Sequence, residues 1–558
     1  MRFDQPRRLR QSMAWLHTWS GLLLGWLMFL IFVTGSLSFF RSEINFWMRP
    51  ELHRAYRAAG GAKADSARMI AHARRVLEQE APDSPQWQIS LPGPRFPALS
   101  VSWRASESSA TPPGGRRGHV GRPAMKRLLL DPSTGDILKA RETAGADFLF
   151  RLHFQLYGID AITGRWIIGA GTMVMLIALI SGVIVHRNIF RDFFTFRPNK
   201  GKRSWMDAHV LTSAVSLPFH FVIAFSGLLL LAGQLMWPVM HGLYPDARAF
   251  VIESRGGRAR FDIEPPSGTR VPLTDFAPLF ETARQRWPER PPDTIVITNP
   301  GDSRASIEIR QSYGGRLANR AAPERLFFDG AGGELLDTPK AEAPSAILAV
   351  WNALTALHMG RFATPAQRWL LFFAGICGAA MVASGLVLWR ISRLGKHDEK
   401  SSGEAGEALR MPFGCRLVEV FNVAGIAGLL AAIGVYFWGC RLLPGDLALR
   451  VNWEIALFFI AWGVLLFHAA LARHLSAWAG QLAFSGILFA FLPLLNGLTG
   501  GASLFRSIAA GYWQVAGFDL CALFAGALLL FAAWKVHGRA AGGLSGAERP
   551  LPQPVAGN

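Results

Sequence analysis

Two histidines lie inside one apolar stretch of this chain. His209 and His220 are eleven residues apart within residues 204–231. The stretch predicts a membrane-spanning helix with both imidazoles on nearly the same face, separated by roughly 16 Å of helix rise. Because a histidine inside a bilayer is costly, it usually faces the interior of a helix bundle and marks a functional site. Each imidazole can offer a ligand to a different haem iron. The alternative is that both histidines only hydrogen-bond a neighbouring helix.

The elements that position these residues are predicted to be membrane helices. The chain has 558 residues, of which 51% are hydrophobic, and about 20 helical residues cross the hydrocarbon core of a bilayer. Apolar stretches of suitable length lie at about 14–39, 165–185, 204–231, 366–389, 417–438, 453–471, 482–495 and 518–534. The sequence therefore predicts a mainly α, polytopic membrane helix bundle with about eight spans.

The distribution of charge predicts the orientation of the bundle. Much of the net charge of +19 lies beside the spans, where Lys and Arg hold loops in the cytoplasm. It therefore predicts contact with membrane lipid and no nucleic-acid partner. The basic start of the chain and the basic loop at 187–205 place the same membrane face inside, and both termini are expected in the cytoplasm. No cleavage-site pattern follows the first apolar run, so we expect the first helix to be retained.

The chain divides into seven segments. Two polar insertions each contain a helical stretch followed by short alternating strands, which predicts two small α+β domains outside the membrane. The segments are the leader and first span at 1–40, the first insertion at 41–145, an interfacial helix with the second and third spans at 146–240, the second insertion at 241–344, an interfacial helix with the fourth span at 345–395, a charged cytoplasmic linker at 396–416, and a four-span module with its tail at 417–558.

The first four spans contain an internal repeat. The order of span, polar insertion, interfacial helix with the dipeptide Leu-His, and span occurs twice, and the tract LLDPSTGDIL of the first insertion parallels FFDGAGGELL of the second. Six histidines near the span ends are candidate axial ligands of haem iron: His17, His153, His186, His209, His220 and His358. The repeat aligns His17 with His209 and His153 with His358, whereas His186 and His220 have no counterpart.

Two pairings of these ligands remain open. His17, His186 and His209 are expected near the cytoplasmic face, and the other three toward the outer half of the membrane. Imidazoles from two segments can hold a haem when they approach its plane from opposite sides. One pairing follows the repeat; the other uses both histidines of the third span, with partners from other segments. Either predicts two haem b groups, and six histidines also suffice for a third.

The cofactor is expected to be held without a covalent link, because no C-x-x-C-H motif occurs. Four glycines beside the histidines would let a flat macrocycle approach the backbone: Gly21, Gly25, Gly182 and Gly227. The alternative for each is ordinary packing of small residues between helices. Three arginines can pair with haem propionates or anchor the membrane edge: Arg151, Arg187 and Arg361.

These stretches resemble the PepSY-associated transmembrane family of iron-regulated inner-membrane proteins. The resemblance is carried by HTWSG in the first span, DPSTGDIL, LHFQLYG, SGVIVHRNIFRDFFTFRPNKGKRSWMDAH and LHMGRF, and covers roughly residues 14–390. It implies a ferric-siderophore reductase with b-type haems in a bacterial inner membrane. It further implies PepSY-like insertions in the periplasm, a ferric siderophore there as substrate, and an unidentified electron donor on the cytoplasmic side. The last four spans lie outside it.

Two other classes of function compete with the reductase. Repeated span pairs are typical of secondary transporters, in which the histidines would relay protons. Against this, the spans are expected to lack the acidic residues and interrupted helices of such sites. The second alternative is a non-catalytic protein whose PepSY-like domains bind periplasmic partners. It leaves the histidines inside the membrane unexplained.

Overall fold

Within the residues that it describes, the computed structural model has eight helical segments that are long and apolar enough to cross a membrane, together with one antiparallel sheet. The prediction of a polytopic membrane helix bundle is therefore confirmed. The structure describes residues 9–58, 65–93, 95–104, 125–186, 188–192, 195–236, 242, 265–312, 314–336, 344–401 and 412–546.

The helices are numbered in chain order. Those of the first half are α1 (Leu9–Ser38), α2 (Arg41–Trp47), α3 (Pro50–Ala58), α4 (Ser66–Glu80), α5 (Gly145–Gln155), α6 (Ala161–Val185), α7 (Ile189–Asp192), α8 (Lys202–Val215) and α9 (Leu217–Leu235). Those of the second half are α10 (Phe276–Arg286), α11 (Ala346–Met359), α12 (Pro365–Ser401), α13 (Phe413–Asn422), α14 (Leu429–Leu442), α15 (Arg450–Leu471), α16 (His474–Ala490), α17 (Leu492–Leu498), α18 (Leu504–Ala509) and α19 (Trp513–Gly546). A π-helical turn at Val423–Gly428 joins α13 to α14.

The third span differs from its prediction as one continuous helix. The stretch 204–231 is divided between α8 and α9 at Ser216, whose backbone leaves helical geometry with φ −114° and ψ 15°. The cause is Pro218 in the first turn of α9, since proline has no N–H to continue the hydrogen bonds of α8. His209 and His220 consequently belong to different helices.

The expectation that the spans lack acidic residues is also wrong. Glu419, Glu454 and Asp519 lie within the candidate spans of the C-terminal part and are each at most 1% exposed. Each carboxylate is paired with hydrogen-bond donors, as the burial of a charge requires. The donors to Glu419 are the partly exposed Arg390 and Arg416. Two spans of the C-terminal part are interrupted: Phe413–Leu442 contains the π-helical turn, and His474–Leu498 is divided between α16 and α17.

The two insertions build one sheet instead of two separate ones. Its strands are β1 (Gln86–Ser90), β2 (Leu99–Arg104), β3 (Met125–Leu130), β4 (Pro292–Thr298), β5 (Ser306–Gln311), β6 (Arg325–Asp329) and β7 (Leu335–Leu336), in the order β3-β2-β1-β4-β5-β6-β7. Strand β1 of the first insertion pairs antiparallel with β4 of the second, with Gln88 opposite Val296. The helices α4 and α10, each capped by an aspartate at its start, pack their apolar sides into one core with the strands.

Four segments of the repeat form the central bundle. Helix α1 packs against α6 and α12, α12 packs against α8, and α6 packs against α9. The broken third span therefore lies across the bundle from α1, as the repeat requires. The short helices α5 and α11 lie at the end of the bundle that leads to the sheet, against α1 and α9 respectively. Helices α13 to α19 pack beside this bundle and share an apolar core with α1, α2 and α5.

Candidate cofactor site

Two histidines meet at the end of the bundle away from the sheet. His17 lies in the third turn of α1, and His209 lies in the third turn of α8. Their ring centroids are 6.2 Å apart and their planes are inclined by 73°. We call these two residues the first pair.

A second pair lies at the end of the bundle near the sheet. His153 comes from the last turn of α5 and His358 from the last turn of α11. Their ring centroids are also 6.2 Å apart, with the planes inclined by 43°. The structure thus brings together the two pairs that the internal repeat aligns, and the two partners of each pair come from opposite halves of the repeat.

The distance within each pair suits a metal held between two imidazoles. A bond from an imidazole nitrogen to a metal is about 2 Å long, and the nitrogen lies roughly 1 Å from the centre of its ring. Two such halves place the ring centroids about 6 Å apart. The structure describes no group of three or more His, Cys, Asp or Glu side chains that could hold a metal ion. Two imidazoles without a third protein ligand fit an iron whose other four positions are filled by a macrocycle.

Hydrogen bonds fix the tautomer of all four rings. Each Nδ1 lies close to a backbone carbonyl oxygen: His17 to Ala178 at 2.8 Å, His209 to Met381 at 2.8 Å, His153 to Ile31 at 2.9 Å, and His358 to Ile223 at 3.0 Å. Because a carbonyl oxygen only accepts, each Nδ1 carries the proton and donates it, and each Nε2 keeps its lone pair. None of the four Nε2 atoms has a hydrogen-bond partner among the described residues. This arrangement, with the second ring nitrogen held by a carbonyl, is typical of metal-binding histidines.

Each paired ring packs on a glycine of a neighbouring helix. A β-carbon built on that glycine would lie closer to the Cε1 atom of the ring than ordinary van der Waals contact allows. The distances would be 2.7 Å for Gly35 and His153, 3.1 Å for Gly182 and His17, 3.2 Å for Gly227 and His358, and 3.1 Å for Gly385 and His209. In every case the carbonyl that accepts from Nδ1 belongs to the residue four places before the glycine. The same arrangement of imidazole, glycine and backbone carbonyl therefore occurs four times. At each site, only a glycine lets the imidazole approach the helix closely enough to reach that carbonyl.

Sequence reasoning found half of these glycines. Gly182 and Gly227 contact histidine rings, whereas Gly25 packs on Leu386 and a β-carbon on Gly21 would meet nothing within 4 Å. Gly35 and Gly385 were missed. The signal was present, since all four glycines follow a serine or threonine near the end of a span: Thr34-Gly35, Ser181-Gly182, Ser226-Gly227 and Ser384-Gly385.

A cavity of about 650 Å³ surrounds the first pair. Its size lies within the range of sites for ligands of several hundred daltons. Apolar residues of α1, α6 and α12 form most of its wall, and His186 also lines it. Arg10 and Arg393 lie along the same cavity and would serve the propionates of a haem there. Neither arginine is among the three predicted from the sequence.

The described ring contacts of His220 are with Phe32 and Phe219 and not with another histidine. His220 is fully buried; its Nε2 donates to the carbonyl of Ala374 at 3.2 Å, and its ring packs on Phe32. His186 ends α6. Arg151 and Arg361 are exposed, and Arg187 lies outside the described residues.

The two pairs lie at different depths of the bundle. Ile31, whose carbonyl holds His153, follows His17 by fourteen residues in α1, which is roughly 21 Å of helix rise. Ile223 follows His209 by the same number of residues in the other half of the repeat. The arrangement offers two bis-imidazole sites stacked along the bundle axis.

Comparison with known proteins matches the part of the chain that contains the histidine pairs. The family model of the PepSY-associated TM region matches residues 14–391 of the 558, a range that contains both histidine pairs. An uncharacterized protein of Pseudomonas aeruginosa, PA4219, is 28% identical over 412 residues, which cover 70% of this chain and 94% of that protein. Helices α13 to α19 lie outside the family match.

Proposed function

This chain belongs to the family of the PepSY-associated TM region, and from that premise we propose that it carries electrons across a bacterial inner membrane through two haem b groups. The observation that carries the proposal is the doubled histidine arrangement. Two pairs with ring centroids 6.2 Å apart lie one above the other in a bundle of apolar helices. A haem iron held by two imidazoles supplies one-electron transfer, with a potential set by its ligands and their surroundings.

The protein's own groups hold each ligand in its binding form. The four Nδ1–H donations to carbonyls orient the rings and leave Nε2 available, and such donation also raises the basicity of the ligating nitrogen. The four glycines let the rings lie against the helices without tilting. The mostly apolar wall of the first cavity limits the entry of water, which affects the potential of a bound iron centre.

We infer that the substrate is a ferric siderophore on the side of the sheet. The resemblance to siderophore reductases supports this, as does the charge of the loop between α6 and α8 at the other end. That loop and the first turn of α8 include exposed Arg191, Lys200, Lys202 and Arg203, which favours a cytoplasmic position for them. Each electron delivered converts one Fe3+ to Fe2+, which binds the hard oxygen ligands of siderophores less tightly. The electron enters from a donor on the cytoplasmic side and leaves near the second pair.

Haem stoichiometry in single alanine variants tests the proposal. We expect about two haem groups per wild-type chain on the bis-imidazole arrangement. Replacing His17 or His209 removes one of them, and replacing His153 or His358 removes the other. His537, which is exposed in the C-terminal part of α19, is the matched control, and His537→Ala keeps both. A colourless wild-type protein from haem-replete cells overturns the proposal.

Reoxidation kinetics test the substrate. The purified protein is reduced with dithionite, the excess reductant is removed, and a ferric hydroxamate is added while the visible spectrum is followed. We expect rapid loss of the reduced α band in the wild type and slow loss in His153→Ala and His358→Ala. Equal rates with the ferric chelate and with an aluminium chelate of the same ligand argue against ferric iron as acceptor.

A further inference from the structure

The last four spans touch the histidine bundle at defined polar contacts. We call helices α13 to α19 the C-terminal module. At one end of the bundle, the Asn422 side chain accepts from Trp26 of α1 at 2.9 Å and donates to the carbonyl of Leu386 in α12 at 3.3 Å. At the end near the sheet, a second set of contacts reaches the start of α5, the helix that carries His153.

Glu454 of α15 is the centre of that second set. Its carboxylate is completely buried and forms an ion pair with Arg450 one turn earlier. The other carboxylate oxygen accepts from the hydroxyl of Thr143 at 2.8 Å and from the backbone N–H of Ala144 at 2.9 Å. Both residues immediately precede α5. Because a buried carboxylate requires donors on each oxygen, the contact fixes the position of this segment relative to the module.

The first turn of α5 continues the network. The Thr143 hydroxyl oxygen accepts from Gly145 N–H at 3.0 Å, and Asn45 accepts from Ala146 N–H at 2.8 Å. Tyr436 of α14, also fully buried, donates its hydroxyl hydrogen to the Gly145 carbonyl at 2.7 Å. Backbone N–H groups at the start of α5, which have no partner within the helix, thus find acceptors in the module, in the preceding Thr143 and in α2.

The partner helix α11 is supported differently. Its start is capped by its own Ser345, and Asn352 donates to the carbonyl of Ala318 in the second insertion. Ile347 is 84% exposed and Val350 61% exposed. One side of α11 is therefore not packed against another part of the protein, whereas α5 is packed against the C-terminal module. The C-terminal module therefore breaks the symmetry of the repeat at the second pair.

We propose that the C-terminal module positions His153, with Glu454 and Thr143 as the positioning residues; this rests on the proposed function. Helix α5 has only 11 residues, and isolated helices of this length are marginal in water. Its direction therefore depends on the packing of its buried side chains, such as Phe148 and Leu152, and on the polar contacts at its start. His153 lies eight residues after Gly145, or roughly 12 Å along the axis. A tilt of about 5° at the start of α5 would displace the imidazole by roughly 1 Å. A displacement of that size is enough to disturb a preorganised site.

The test replaces Thr143 by Val in the full-length protein. The substitution keeps the shape of the side chain and leaves Glu454 paired with Arg450. We expect the midpoint potential and the low-spin ferric signal of the second site to change and its haem to dissociate roughly 30-fold faster, as the loss of two hydrogen bonds of about 1 kcal/mol each implies. The first site should keep its potential and its signal. Thr143→Ser, which retains the hydroxyl, should restore the wild-type behaviour.

A matched control comes from the same module. Thr499 also has a hydroxyl bonded to a buried side chain, that of Arg441, and it donates to the carbonyl of Leu495. Neither partner belongs to α5, so Thr499→Val should leave the second site unchanged. An unaltered second site in Thr143→Val overturns the positioning role, and so does an equal change in Thr499→Val. If Thr143→Val does not accumulate, Glu454→Asp decides, because withdrawing the carboxylate by one methylene should alter the second site alone. A wild type without haem refutes the proposed function instead, so the two failures are distinguishable.

Discussion

Replacement of Gly35 by alanine is the sharpest test of how the second pair is built. A β-carbon at this position would lie 2.7 Å from Cε1 and 2.8 Å from Nδ1 of His153. Carbon atoms in contact prefer about 3.5–4.0 Å, so the ring would have to withdraw by roughly 1 Å. The bond from Nδ1 to the Ile31 carbonyl, now 2.9 Å, would then exceed the length of a hydrogen bond.

The cost of this change follows from two effects. Overpacking costs about 1–3 kcal/mol, and the lost hydrogen bond adds about 1 kcal/mol. Together they imply roughly 30- to 1000-fold weaker retention of haem at the second site. The first site should be unaffected, because Gly35 lies near the other end of α1.

Haem retention is measured by transfer to apomyoglobin, with the two sites distinguished by their spectra. Gly463→Ala in α15 is the control, since a β-carbon there meets nothing within 4 Å and the gain in helix propensity is the same. Wild-type retention and spectrum in Gly35→Ala would refute the inference that His153 is held as a ligand against this glycine.

Three further outcomes are expected. The ring planes of the first pair are inclined by 73° and those of the second by 43°, so two distinct low-spin ferric signals should appear in the electron paramagnetic resonance spectrum; one shared signal would mean equivalent ligand geometry. His220→Ala should keep both haems and lower the free energy of unfolding by about 1–3 kcal/mol, because the change opens a cavity and removes the bond to Ala374; thermal unfolding and haem content check this, and a lost haem would make His220 a ligand. In the sheet domain, donation from the backbone N–H of Ser267, followed by that of Arg304, lowers the pKa of Asp302 to about 2. Since the folded pKa lies below the unfolded value of about 3.9, this stabilisation is complete above roughly pH 4 and is lost as the pH falls toward 2. Hydrogen exchange at Gly268, compared between wild type and Asp302→Asn at matched pH, should differ at pH 5 and converge near pH 2; a constant difference contradicts the assignment.

Much of the architecture could be predicted because its signals are local. Apolar length identified eight spans, and the alternation of side chains located β2 at Leu99–Arg104 without error. The internal repeat indicated which histidines correspond, and the structure brings those residues together. The break at Ser216 also had a local signal in Pro218, but a reading by apolar length alone merges the two helices across it.

Other features depend on contacts between distant parts of the chain. The pairing of β1 with β4 joins residues more than 200 positions apart, and the sequence of neither strand indicates which strand it pairs with. His220 resembled the paired histidines in sequence, yet it differs from them because it faces the carbonyl of Ala374 instead of a second imidazole. The buried acids Glu419 and Glu454 lie near the ends of apolar stretches, and only the structure supplies the arginines that neutralise them.

The strand pairing across the two insertions has a consequence for the halves of the repeat. A polypeptide containing only one half would present an unpaired strand at its sheet edge, and such edges invite association. It would also offer one imidazole at each depth, with no opposing ring. Two identical halves related by a twofold axis would pair their edge strands with each other and would supply two opposing imidazoles at each depth. The present chain is thus the covalently linked form of an arrangement that a symmetric dimer of single repeats could adopt.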